Sequence, residues 1–376
     1  MGYLLVLSCA LILYGTLYPF NFNFGLHEEN VLSLLMASAN SWFGRGDNIA
    51  NVILFLPFGF FAMQRVFPRI PRPIRLLFVV IAGALFSLGI ECVQSYLPGR
   101  VVSIYDLAAN TAGAMLGAVL GWKNWRAELS GFRTNSQPQS VFPLLLLGAW
   151  LGSRLVPFVP TLDVQNAKNA LKPLFFGDFL PLNALWRFIA TLIVCQLIQT
   201  ITPPGRIRTA LMFLPLCVIA VKPFILGGSI SQAEVLGVLL GIAIWWYILG
   251  RIRGNIHILA LLLTAQIVFQ GLTPFVFNPE PGHFSFIPFH GYLKAVTISN
   301  ILLFIEKVFL YGSLVWLLEK ISRSLRFSLI FSVILLTGIE VMQMFMPGRV
   351  PEITDPLLAV ILGLFLYFLD LRGESK

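Results

Sequence analysis

Twelve times along this chain, an apolar run long enough for a helix to cross a bilayer's hydrocarbon core, roughly 20 residues, ends at a proline, a glycine or a cluster of charge. The runs lie near 3–20, 48–66, 74–96, 104–122, 141–158, 183–201, 207–224, 231–249, 256–274, 297–318, 325–346 and 354–371. They predict an all-α fold, a polytopic membrane helical bundle of about twelve transmembrane helices. Little sequence is left between them for a soluble domain. Composition agrees: of 376 residues, 57% are hydrophobic and only 11% charged, against about 25% charged in soluble domains. In such a chain the net charge of +9 reports topology before it reports nucleic-acid binding.

With the N-terminus in the cytoplasm, the cytoplasmic segments collect 16 of the 26 basic residues and 4 of the 17 acidic ones. Basic residues concentrate on the cytoplasmic side of membrane proteins, so both termini are expected there. The first run has no basic leader and no small-x-small cleavage site, and is expected to be a retained helix. The four cysteines (Cys9, Cys92, Cys195, Cys217) lie in apolar runs with no CxxC pair. No disulfide framework, metal site or cofactor is expected.

One string occurs twice. Gly89–Arg100 followed by Asp106 reappears as Gly338–Arg349 followed by Asp355, every pair 249 positions apart and 10 of 18 positions identical from Gly89 to Asp106. Asn51-Val52-Ile53-Leu54-Phe55 likewise matches Asn300-Ile301-Leu302-Leu303-Phe304. Pro-Phe closes the first helix of three segments, at Pro19-Phe20, Pro157-Phe158 and Pro274-Phe275. The middle segment keeps Ser231-Gln232-Ala233-Glu234, which resembles Ser103-Ile104-Tyr105-Asp106, but has Ile219 and Lys222 where Glu91 and Gln94 would stand. This predicts three parallel four-helix repeats: 1–130 with the complete motif, 141–250 degenerate, and 256–372 with a variant motif.

The repeated residues carry the chemistry. Glu91 and Gln94 share a helix face at i, i+3. Pro98-Gly99 ends that helix and Arg100 sits in the turn. Ser103 starts the next helix, with Asp106 and Asn110 following. Asp47, Asn48 and Asn51 come from the outer end of the second helix. The last segment keeps Asn300, Glu340, Gln343, Arg349 and Asp355, and gains Glu306 where the first has Pro57. Two readings stand side by side. Ionisable residues within membrane segments mark functional sites by default, which points to an outward-facing polar pocket. Equally, Arg100 neutralises a carboxylate, the amides bond backbone freed at the turn, and Ser103-x-x-Asp106 caps a helix. On the functional reading the complete first copy is the best site. The small residues Ala108, Ala109, Ala112, Gly113, Ala114 and Gly117 predict close helix packing. Segment 28–40 and the Phe- and Pro-rich loop 279–294 read as interfacial. His283 and His290 are too few for a metal site.

Asp47-Asn48-Ile49-Ala50-Asn51-Val52 with Phe55-Leu56-Pro57-Phe58-Gly59-Phe60 resembles the VanZ-like family of bacterial membrane proteins. So does Glu91-x-x-Gln94, then Pro98-Gly99-Arg100, then Asp106-Leu107-Ala108-Ala109-Asn110-Thr111-x-Gly113. The resemblance implies a four-helix unit, a bacterial cytoplasmic (inner) membrane, a cell-envelope role and a link to resistance against the glycopeptide antibiotic teicoplanin. It supplies no mechanism. The function expected is a pocket that binds a cell-surface or lipid-linked ligand, such as a lipid-linked envelope precursor, or a membrane protein partner. The lipid bilayer is the surrounding partner; nucleic acid is not one. The alternatives are an enzyme acting on a lipid-linked substrate at the outer leaflet, with Glu91 and Asp106 as acid and base, and a proton-coupled transporter. No nucleophile stands beside the carboxylates, so no catalytic residue is assigned.

Overall fold

The computed structural model describes residues 2–23, 31–38, 45–65, 69–98, 101–122, 141–252, 254–294 and 297–370. Among them the regular structure is helical, apart from two isolated bridges, Pro160 with Ile225 and Ser285 with Glu352. Six helices are long and apolar enough to cross a membrane: Arg72–Gln94, Pro181–Ile201, Gln232–Arg251, Asn255–Leu272, Ser299–Ser322 and Leu325–Gln343. Shorter apolar helices cover Leu4–Leu17, Ala50–Arg65, Phe142–Leu155, Leu214–Phe224 and Thr354–Tyr367. Leu77, Ile81 and Leu85 stand exposed along Arg72–Gln94, as do Ile330 and Ile334 along Leu325–Gln343. Apolar outer faces over helices that satisfy their own backbone are what a bilayer demands. This is a helical membrane protein.

The chain forms two compact units. The first covers 1–133 together with 293–297, the second 134–292 and 298–376. The first holds α1 (Gly2–Leu17), α2 (Val31–Ser38), α3 (Arg45–Arg65), α4 (Arg72–Gln94) and α5 (Ile104–Trp122). Helices α3 and α5 lie closest. A Cβ on Gly113 would strike Val52 backbone, on Gly117 the Leu56 carbonyl, and on Gly121 the Phe60 oxygen at 2.7 Å. The stripe of small residues therefore lets two backbones meet, as the sequence predicts. Beneath them Phe55, Phe58, Ile12, Ile90 and Ala114 form the core.

The second unit holds α6 (Phe142–Leu155), α7 (Val164–Phe176), α8 (Pro181–Ile201), α9 (Arg206–Leu211), α10 (Leu214–Val221), α11 (Gln232–Tyr247), α12 (Asn255–Leu272), α13 (His290–Lys294), α14 (Ile298–Ser322), α15 (Leu325–Gln343) and α16 (Thr354–Asp370). One core joins most of its helices. Leu192, Ile193, Leu197, Leu314, Val315 and Trp316 are almost wholly buried there.

Two elements differ from expectation. The run 207–224 is not one helix: it breaks at Met212–Phe213 into α9 and α10, then tightens into a 3-10 turn at Lys222–Phe224. Pro215 and Pro223 lack an N–H and restrict the residues before them, and apolarity alone had concealed this. Helix α7 was not foreseen. Asp163 caps it by accepting the Gln165 N–H at 2.9 Å. It is amphipathic rather than uniformly apolar, so a search for spanning runs passes over it. Within the segment 28–40, expected to be interfacial, lies α2, whose Leu35 and Ser38 are buried.

One turn recurs three times. The peptide bonds before Pro19, Pro157 and Pro274 are cis, and Phe20, Phe158 and Phe275 follow with φ of 61°, 56° and 62°. Non-glycine residues seldom adopt that region. The Phe N–H bonds the Leu17, Leu155 or Leu272 carbonyl at 2.9, 2.8 and 2.7 Å. A few residues on, Asn23, Thr161 and Asn278 donate their N–H to the Tyr96, Phe224 and Phe345 carbonyls at 2.8, 2.8 and 2.6 Å.

Candidate functional site

The polar corner is built from the turn upward. A helix leaves its last carbonyls without donors, and the proline that follows α12 removes one more: Gln270 would have accepted an N–H from position 274. Arg349 fills the gap, its Nη2 donating to the Thr273 carbonyl at 2.6 Å and the Gln270 carbonyl at 3.4 Å. Gln343 Nε2 donates to the Gly271 carbonyl at 2.9 Å. In the first unit Gln94 Nε2 bonds the Thr16 carbonyl at 2.8 Å, again three residues before the proline. The repeated glutamate ties the following turn: Glu91 Oε2 accepts the Ser103 N–H at 2.9 Å, and Glu340 Oε2 accepts the Glu352 N–H at 2.8 Å. The repeated glutamate and glutamine thus satisfy backbone at the same place in both copies. Replacing Gln343 by leucine is expected to cost about 1 kcal/mol, read as a lower melting temperature; an unchanged value would show that the Gly271 carbonyl needs no donor.

Other expected residues fall into place around this. Ser103 Oγ accepts the Tyr105 and Asp106 N–H groups at 3.2 and 3.4 Å, the cap the spacing predicts. Asn110 Nδ2 donates to Ser87 Oγ at 2.9 Å, and its Oδ1 has no protein partner among the described residues. Asp106 and Asn51 are half-buried. Arg100 lies outside the described residues, as do the side chains of Asp47 and Asn48 in α3. In the middle segment Lys222, standing where Gln94 stands, meets Glu234 at 2.6 Å, while Ser231 Oγ accepts the Glu234 N–H at 3.2 Å.

A cavity of about 490 Å³ opens within the second unit. It is lined by Asn300, Glu306, Glu340, Gln343, Arg349 and Asp355, all expected, and also by Tyr292, Lys307, Tyr311 and Glu352, which were not. Lys307 Nζ donates to both Asp355 oxygens at 2.6 and 2.8 Å, and Tyr311 donates to Asp355 Oδ2 at 2.6 Å. Lys307 also lies 5.8 Å from the centre of the Tyr292 ring. Burial pushes the Tyr292 hydroxyl above the ordinary phenol range, and the Lys307 ammonium partly offsets this. Glu352 accepts the Gly291 N–H at 3.0 Å and the Thr354 hydroxyl at 2.6 Å. Glu306 does not join the Asp355 group. It faces Arg154 at 3.3 Å and Arg187 at 3.6 Å.

The cation that neutralises Asp355 is therefore Lys307, from the second helix of the last segment, rather than Arg349 of the Pro-Gly-Arg turn. Sequence reading passed over Lys307 because Phe58 occupies its place in the first copy. The available signal was a lysine and a glutamate adjacent within an otherwise apolar helix. Arg154 and Arg187 are each a lone cation within an apolar run. Nothing local marks Tyr292 or Tyr311.

A family model described as VanZ/LLP1 matches residues 4–125 and 238–369, more than half of the chain. No curated protein and no solved structure matches. The two matched regions carry the two copies of the Glu-Gln-Pro-Gly-Arg-Asp corner, which a single four-helix motif explains. With the glutamate and glutamine of both copies bonded alike, and with the family model covering both, the chain belongs to the VanZ/LLP1 family.

Proposed function

We propose that this is a multi-pass protein of the bacterial cytoplasmic membrane whose cavity, at the outer membrane boundary, binds a cell-surface or lipid-linked ligand. The observation that carries the reading is the cavity itself. Its size falls within the range of small-ligand sites, roughly 300–1,000 Å³, and it gathers charged residues that are costly to keep in a membrane helix without use. Basic residues favour cytoplasmic termini, with the corners facing outward. Three parallel four-helix units and twelve spans fit the thrice-repeated Pro-Phe turn and its backbone bond to the end of the third helix. On this reading the middle unit, with Lys222 paired to Glu234, serves as scaffold.

The site lies in the last unit, around the variant motif. An envelope role, including a teicoplanin phenotype, is proposed by analogy with the family and is tested with it. Arg349→Ala is expected to weaken binding of a lipid-linked envelope precursor to the purified protein about tenfold, the order of one charge-assisted hydrogen bond. Unchanged binding together with an unchanged envelope phenotype would leave the cavity a purely structural void. Acid–base turnover is a weaker reading, since Lys307 and Tyr311 already occupy Asp355.

A further inference from the structure

Charge around the cavity is unbalanced. Four carboxylates line it, Glu306, Glu340, Glu352 and Asp355, against two cations, Lys307 and Arg349. Glu306 is matched by Arg154 and Arg187, and Asp355 by Lys307. Arg349 is spent on carbonyl oxygens through Nη2 and is exposed at the rim. Glu340 and Glu352 are left with no ion-pair partner among the described residues, although each accepts hydrogen bonds. Glu340 is 4% exposed and lies near enough to Asp355 for the two carboxylates to interact. A buried carboxylate beside another, with the nearby Lys307 ammonium held by its neighbour, is stabilised by a proton or by a cation brought in from outside.

We propose that the cavity takes a ligand bearing a primary ammonium group, seated against Glu340 and Glu352, with its anionic part towards Arg349. This rests on the cavity being a ligand site and names the class of ligand. The ring of Tyr292 already faces one ammonium, that of Lys307, so the walls are of a kind that suits a second cation. The shared chemistry is a primary ammonium near an anionic group, found in a phosphoethanolamine lipid headgroup and in small soluble amino compounds.

The full-length protein in lipid nanodiscs supplies the test. Binding is read by native mass spectrometry for phosphatidylethanolamine, phosphatidylcholine and phosphatidylglycerol, and by displacement with soluble phosphoethanolamine. Retention of phosphatidylethanolamine over the other two, weakened about tenfold or more in Glu340→Gln, is the expected result. Competition by soluble phosphoethanolamine would point to a soluble source, and its failure to a lipid one; both support the ammonium. Glutamine keeps an oxygen for the Glu352 N–H, and Glu352→Gln at the wall provides an independent variant should Glu340→Gln not fold. Equal or tighter binding of phosphatidylglycerol, lost in Arg349→Ala, would overturn the ammonium while keeping a ligand site. No selective binding of any of the three lipids or of phosphoethanolamine would overturn the inference, and an unchanged envelope phenotype in the same variants would remove the ligand site with it.

Discussion

Lys307→Met is expected to destabilise the second unit by about 3–5 kcal/mol, the usual cost of removing one partner from a buried ion pair. Lys307 contacts both oxygens of Asp355, and the aspartate side chain is only 10% exposed. Methionine has nearly the length of lysine, so packing changes little and the loss is electrostatic. Tyr311 still donates one hydrogen bond, which cannot neutralise a carboxylate. The double variant Lys307→Met with Asp355→Asn should recover most of the loss, because it removes the orphaned charge. Thermal unfolding of the three proteins in one detergent gives the comparison. If the single variant melts with the wild type, the pair is not what holds this corner.

Gly117→Leu is expected to disrupt the first unit. A Cβ there would meet the Leu56 carbonyl and lie 2.9 Å from the Phe60 nitrogen. Backbone cannot rotate aside as a side chain does, so α3 and α5 must separate. Overpacking usually costs about 1–3 kcal/mol; with backbone as the obstacle, the upper end or beyond is expected. Limited proteolysis should then cut 45–65 more readily. Gly89→Ala is the matched control: nothing lies within 4 Å of its added Cβ, although Gly89 belongs to the repeated string. Equal protease resistance of the leucine variant and wild type would mean the helices have room to part.

Part of the corner was legible. The serine caps the next helix where its spacing places it, whereas the glutamine, expected to bond backbone at its own Pro-Gly turn, bonds the helix that ends at Pro-Phe, and the glutamate ties the N–H twelve residues on. The cavity in the last copy was not legible; the sequence pointed first to the complete first copy. The repeated residues mostly satisfy backbone. The cavity's distinctive chemistry comes from residues without counterparts in the first copy: Lys307 stands for Phe58, Tyr311 for Ala62 and Glu352 for Ser103.

The sequence by itself determined the helical class, the membrane habit and the repeat of the corner, because these depend on run length, hydropathy and local spacing. Only the tertiary structure decided which charges meet. Glu306 and Lys307 are neighbours in sequence, yet one faces Arg154 and Arg187 and the other Asp355. Adjacent positions on a helix point about 100° apart, so each enters a different polar environment. In a medium of low dielectric, the partner found there sets what each charge does.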